Sequence, residues 1–460
     1  MCLISRACTS IYYIEDIDSL RFALSAMDYS VVEARPHFPG YPLYCFLLKI
    51  VYYLTGSVAL SFSLIGGFST FMILYFMDRI WSLYTSINSN ILLVIGFLCP
   101  LLWLMGNRYM PDIMGLALVM AALYYFLKIL AQYELKSMLL LFLLLGALLG
   151  VRLSYAPFFI PVVVLLFRYP KKTPIMVISF LLSVLIWFVP WVIDSGWYNL
   201  LDVAQNNTAG HFTDWGGGIM SEESTYWHRF VKMVESLWAD GIGAWWYKRH
   251  WITIVPGVIY SLFILLGLRH IYLKGLKFST QDKIVIPACM LFYLIWVYFF
   301  QNIVYKPRHI MPFLPFIIFL CAFGAHEFKK YFSALFSKLL IGVFILALTI
   351  VTVVINWQHN SPTAIAQVET YVQQKKDTNT IFYSIPLINY YMSRHVGLKD
   401  MIYCTSQDQV DAYTTDSLIE YTVITTFTPS NDHIYDQYVF FHNPYVNRLW
   451  YQIPTYLYKE

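Results

Sequence analysis

Two carboxylates, Asp16 and Asp18, stand either side of Ile17 in the stretch Glu15-Asp16-Ile17-Asp18-Ser19-Leu20-Arg21. In extended chain they would share a face; at the start of a helix they would point apart. A carboxylate beside a low-dielectric body has its pKa raised by desolvation. That suits it to take a proton from a hydroxyl. Capping of a helix beginning near Ser19 explains the same residues, since Asp favours the first turn. The residues alone leave both readings open. Asp112, after Asn107-Arg108-Tyr109-Met110-Pro111, opens an apolar run, where Pro and then Asp are also ordinary helix-start signals.

The basic candidates suggest phosphate. Lys306-Pro307-Arg308-His309 immediately precedes the apolar run Met311–Gly324. Arg grips a phosphate through a bidentate fork and Lys acts as a point charge. A lipid phosphate at the bilayer surface is a natural partner, with snorkelling of long side chains as the plainer reading. Arg152, beside Ser154 and Tyr155 between two short apolar runs, is a second phosphate candidate. His37-Phe38-Pro39-Gly40-Tyr41-Pro42 is a corner in which Pro locks φ and Gly supplies the free dihedral. His37 and Tyr41 are its candidate substrate contacts. His211-Phe212-Thr213-Asp214-Trp215-Gly216-Gly217-Gly218 joins a Gly run to aromatics, which suits sugar or lipid-head packing and equally a loop at the membrane interface. No His-x-x-x-His or carboxylate–His spacing suggests a metal. A divalent ion on Asp16 or Asp18 with Asp112 has no support in the sequence, and no cofactor is expected.

The elements that must hold these residues are membrane helices. The 460 residues are 58% hydrophobic and only 13% charged, against about 25% charged in soluble domains. Mean hydropathy is +0.57. Apolar runs predict spans near 58–78, 91–106, 112–132, 137–151, 155–168, 174–194, 251–268, 284–300, 309–325 and 338–356. Pro42–Gly56, with Lys49 inside it, reads as a helix on the membrane surface. The two short runs 137–151 and 155–168 predict a hairpin with Arg152 at its tip. Met1–Ile14 is too short for a span and is broken by Arg6, so it reads as an incomplete first helix or a misassigned start, and not as a signal peptide. The seven cysteines form no Cys-x-x-Cys pair and read as small buried hydrophobes. A net charge of +4 gives no case for nucleic acid.

Basic residues sort the loops. Arg79; Lys128 and Lys136; Arg168, Lys171 and Lys172; Arg269, Lys274, Lys277 and Lys283; and Lys329, Lys330 and Lys338 collect on one face, the cytoplasmic one. The acidic loop, the 195–250 loop, Lys306 and Arg308 and the C-terminal tail fall on the other. From about Ser361 the composition turns polar. Ile381–Tyr383, Met401–Tyr403 and Tyr421–Thr425 predict strands; Pro386–His395 and Gln407–Tyr413 predict helices. The expected fold is an all-α polytopic membrane protein of about 10–11 transmembrane helices, residues 1–356, followed by a small extracytoplasmic α/β domain, 357–460.

The acidic N-terminal loop, the His-Phe-Pro-Gly-Tyr-Pro corner, the Pro-Asp start at 111–112 and Lys306-Pro307-Arg308-His309-Ile310-Met311-Pro312 recur in order and sidedness. Together, over about residues 10–325, the pattern resembles the C-type glycosyltransferase superfamily, in the branch of protein mannosyltransferases and aminoarabinose transferases. No single motif is highly specific, and Phe38 stands where that family often has Pro. The resemblance implies transfer, with inversion, of a sugar from a polyprenyl-phosphate donor to a hydroxyl of a glycan, lipid or protein on the outer face of a membrane, such as a bacterial inner membrane. It implies Asp18 as the catalytic carboxylate with Asp16 its rival. It makes Asp112 a second acidic position, and Lys306 and Arg308 the donor-phosphate site. Two other classes remain. A lipid-linked polysaccharide ligase or polymerase would lean on Arg and His of the large loop, for example Arg229. A transporter would place ionisable residues near the midplane, whereas the charges here cluster at the ends.

Overall fold

The computed structural model describes residues 1–214, 216–220, 224–274, 280–415, 419–429 and 434–460. Trp215 of the glycine-rich segment and Lys277 of the basic loops lie outside the described residues, as does the side chain of Lys274. The chain forms two compact units, one of residues 1–10 and 24–356 and one of residues 11–23 and 357–460.

The helices of the first part of the chain are α1 (Cys2–Cys8), α2 (Ile17–Met27), α3 (Pro42–Thr55), α4 (Val58–Tyr84), α5 (Asn90–Phe97), α6 (Pro100–Met105), α7 (Asp112–Ala131) and α8 (Leu135–Arg152). They continue as α9 (Val164–Arg168), α10 (Thr173–Ser195), α11 (Trp197–Thr213), α12 (Tyr226–Glu235), α13 (Ile254–Lys274), α14 (Thr280–Phe300), α15 (Leu314–Tyr331) and α16 (Ala334–His359). Among the described residues, eight helical runs are long and apolar enough to cross a membrane: 58–84, 112–131, 135–168, 170–195, 251–272, 283–300, 307–331 and 334–375. The run 91–106, expected to be one span, is instead two short helices, because Pro100 cannot continue α5. The Leu98 carbonyl exposed by this break accepts the Thr352 hydroxyl at 2.6 Å. Broken helices persist at membrane depth only with such compensation.

The run 135–168 doubles back on itself. Ser183 donates to the Leu143 carbonyl at 2.7 Å and Trp187 to that of Gly146 at 3.0 Å, so α8 and α10 run parallel. The chain must return between them. It does so through a 3₁₀ segment, Leu153–Val163, in which Pro157 and Pro161 forbid regular α-helix. The rings of Tyr133 and Tyr169 then meet at 5.0 Å, which puts both ends of the hairpin at one level. Arg152, with φ −153° and ψ 79°, is its turning point, as its sequence position predicts. Glycines set the closest helix approaches. A Cβ on Gly324 of α15 would overlap the Phe263 carbonyl of α13, which only glycine permits.

The second unit is a five-stranded sheet with helices α17 (Ala364–Lys375), α18 (Pro386–Ser393) and α19 (Gln407–Thr415). Strands β1 (Thr380–Tyr383), β2 (Ile402–Cys404) and β3 (Thr422–Thr425) are parallel, joined by α18 and α19 as crossovers. Strands β4 (Ile434–Phe441) and β5 (Gln452–Lys459), which the composition does not announce, complete the order β2-β1-β3-β5-β4 with antiparallel pairings. Their apolar residues lie among charged and polar ones, and β4 is largely exposed. Ile381, Cys404, Val410, Val423 and Tyr458 form the core between sheet and helix. All seven cysteines are free thiols.

Candidate active site

The site of the first unit starts at the N-terminus of α7. Pro111 ends the preceding turn and Asp112 takes the first helical position. Its carboxylate is wholly buried. A bare carboxylate there would be untenable, and Arg152 answers it, one guanidinium nitrogen lying 2.8 Å from Asp112 Oδ1. Arg308 Nε lies 3.6 Å from the same oxygen. Gly115, one turn into α7, makes the approach feasible: a Cβ there would stand 2.7 Å from Arg152 Cβ. The small residue lets the end of α8 lie against the start of α7.

The corner at 37–42 meets this cluster through Tyr41. Its hydroxyl accepts from Arg152 at 3.1 Å and lies 3.3 Å from His37 Nε2. Tyr41 sits in the left-handed region at φ 46°, unusual for a bulky residue and found most often at functional sites. Gly40, at φ 76°, precedes it, and the Gly40 carbonyl accepts the Tyr29 hydroxyl at 3.0 Å. Proline at position N1 then launches α3.

One residue at this site, Tyr293, carries no signal in the sequence beyond ordinary core character. Tyr155 and Tyr293 are fully buried and meet edge to face at 5.7 Å. Tyr293 donates to the His309 carbonyl at 2.8 Å. His309 is buried within electrostatic range of Arg308, Arg152, Lys306 and His211. The two candidate sequences, Lys306–His309 and Arg152, thus meet around one carboxylate. Their motif spacing, 154 positions apart, could not have shown it.

His211 closes α11 and lies 3.2 Å from the Phe300 carbonyl. Burial lowers its pKa; the Phe300 contact opposes that, and the charge of Lys306 adds to it. Arg229 is fully buried and gives its guanidinium to backbone carbonyls: Gly217 at 2.8 Å, Gln301 at 2.7 Å and Tyr298 at 3.0 and 3.1 Å. Its role there is to pin the glycine-rich segment.

Asp16 and Asp18 belong to the second unit. Asp16 accepts the Ser19 amide at 2.8 Å and the Asn447 side chain at 3.1 Å. It therefore caps α2, the capping reading of this position. Asp18, also buried, has Arg21 at 4.0 Å. The rest of the acidic stretch is tied to the same unit. Glu15 Oε1 lies 2.9 Å from His359 Nε2, and the Ile14 and Glu15 carbonyls accept from Tyr391 at 2.7 Å and Thr363 at 2.9 Å. Among the described residues there is no group of three His, Cys, Asp or Glu side chains placed to hold a metal. Asp112, paired with two guanidiniums, is poorly suited to be a cation ligand.

No protein-family model matches the sequence, and no curated protein matches it. Solved structures do. The aminoarabinose transferase ArnT of Cupriavidus metallidurans bound to undecaprenyl phosphate superposes with a TM-score of 0.58 at 10% identity, covering 99% of this chain and 96% of ArnT. The apo ArnT structure gives 0.55 at 11% identity over the same shares. A weaker likeness, 0.46 at 8% identity over 89% of this chain and 64% of the other, is to an oligosaccharyltransferase of Archaeoglobus fulgidus. At these identities the likeness concerns the fold, and it runs the length of both chains. The chain shares the fold of ArnT, a polytopic helical membrane body with a small C-terminal α/β unit.

Proposed function

We propose that this protein transfers a sugar, with inversion, from a polyprenyl-phosphate donor to an acceptor hydroxyl on the extracytoplasmic face of a membrane. The observation that carries the reading is the gathering of Arg152 and Arg308 about the buried Asp112, with Lys306 within electrostatic range of the neighbouring His309. Guanidiniums held in a dry, preorganised frame suit the charge that develops on a departing phosphate. ArnT, of like fold, was solved with undecaprenyl phosphate.

In the proposed reaction the acceptor oxygen attacks the anomeric carbon. The bond from that carbon to the phosphate oxygen breaks, and the lipid phosphate leaves as an anion neutralised by Arg308, Arg152 and Lys306. Asp112 orients Arg152, and Tyr41 fixes its other nitrogen. Asp18 takes the acceptor proton. Asp16, whose two oxygens accept from Ser19 and Asn447, is the rival candidate. His37 and His211 are proposed to line the substrate path. No cofactor is required by this scheme. Acceptors of the class are a glycan, a lipid or a protein.

The ligase alternative loses support at Arg229, whose donors are engaged by backbone carbonyls. The test is transfer from a radiolabelled polyprenyl-phosphate sugar by the purified protein, together with lipid analysis of a deletion strain. Accumulation of the donor on deletion and loss of transfer in Arg308→Ala are expected. Unchanged donor pools with full transfer by Arg308→Ala would overturn the proposal.

A further inference from the structure

We infer a second phosphate site at the opposite end of α7, in a cavity between α4, α7 and α8, that holds the phosphate of an anionic membrane lipid. The cavity encloses about 150 Å³, and Arg79, Lys128, Lys136, Tyr75, Tyr124 and Tyr125 are among its walls. Asp112 and Lys128 are sixteen residues apart on α7, about 24 Å at the rise of an α-helix. The cavity is therefore far from the Asp112 cluster, at the end that the basic loops assign to the cytoplasm.

Its charge is unbalanced. Glu134 is the one acidic residue in the wall, and both Lys128, at 2.5 Å, and Ser137 already bind it. Among the described residues Arg79 and Lys136 have no carboxylate within ion-pair reach. Arg79 instead lies 5.8 Å above the Tyr124 ring, and Tyr75 is half exposed beside it. Two cations without a carboxylate, over a floor of tyrosines at a helix end, match the chemistry of a lipid headgroup. The charge suits the phosphate, and the aromatic rims suit the glycerol and upper acyl region. Basic pockets between membrane helices on the cytoplasmic side recognise anionic lipids in this way. A free phosphate offers the same oxygens, and only the lipid would also use the tyrosines.

The full-length protein in detergent, mixed with phosphatidylglycerol or with phosphatidylcholine, would be examined by native mass spectrometry. Preferential retention of phosphatidylglycerol is expected, falling about tenfold in R79A/K136A. It should be unchanged in R269A/K329A, which removes two charges elsewhere on the same face. Addition of inorganic phosphate distinguishes the sources. Phosphatidylglycerol that stays bound supports a lipid site, whereas displacement by inorganic phosphate alone overturns the lipid assignment. Equal retention of the two lipids by the parent protein, or equal phosphatidylglycerol retention by parent and R79A/K136A, overturns the site itself. Thermal unfolding of each variant confirms that it is folded, and K136E supplies a second variant should R79A/K136A fail to fold.

Discussion

Asp112 and Arg152 meet at 2.8 Å where α7 begins and α8 ends, with the carboxylate wholly buried. Neither charge is tenable there without the other, because desolvation far outweighs what a surface pair recovers. Removing one partner leaves an uncompensated buried charge. Asp112→Asn is expected to cost about 3–5 kcal/mol of stability and to lose most transfer. Arg152→Lys, which keeps charge but not the fork, should retain the fold better than the activity. Thermal unfolding beside a transfer assay separates the two.

Gly115 supports that pair by what it lacks. A Cβ at 2.7 Å from Arg152 Cβ cannot be accommodated without moving one helix. Gly115→Val should cost about 1–3 kcal/mol through overpacking. If Arg152 positions the donor phosphate, apparent KM for the lipid donor should rise more than kcat falls. A loss of kcat alone would point away from a binding role.

Tyr41 links the corner to the site through one hydroxyl. Tyr41→Phe removes the bond to Arg152 and the contact with His37, at about 1 kcal/mol of stability. Transfer should drop while the fold persists. His37→Ala should have the smaller effect, since Tyr41 stands between His37 and Arg152 in this chain of contacts.

The two acidic candidates predict opposite phenotypes. Asp16→Ala removes the cap on α2 and should lower stability by about 1 kcal/mol, with activity surviving in proportion to folded protein. Asp18→Asn should leave protein levels intact and abolish transfer. Full activity in Asp18→Asn would sink its assignment as the base.

His211 titrates below the ordinary imidazole range because burial disfavours its charged form, and Lys306 adds to that. The folded protein therefore binds fewer protons there than the unfolded chain. Stability contributed at this position is present above the ordinary histidine pKa of about 6.5 and is lost as pH falls through it. His211→Gln should flatten that acid limb in thermal unfolding measured across pH.

The membrane class, the strands β1 to β3 and the hairpin turning at Arg152 were legible in the sequence; that these strands run parallel was not. Each rests on a local signal: a long apolar run, a short β-branched run between turns, or two half-length runs around a charge. The break at Pro100 was also written there, yet the run 91–106 reads as continuous because hydropathy is indifferent to backbone hydrogen bonds. Strands β4 and β5 carry little periodic signal, and pairing defines them instead.

Residue chemistry alone determined that this chain lives in a membrane and that its rare charges must have partners. Which partners they have was decided by the tertiary structure. Asp112, Arg152 and Arg308 come from three distant segments, and helix packing at Gly115 brings the first two together. Likewise the sequence could not choose between base and cap for Asp16 and Asp18. The fold gave Asp16 its two hydrogen-bond partners, one of them Asn447 at the far end of the chain. The physical reason is common to both cases: a charge's meaning depends on what lies within about 4 Å of it, and in a folded chain those neighbours are rarely neighbours in sequence.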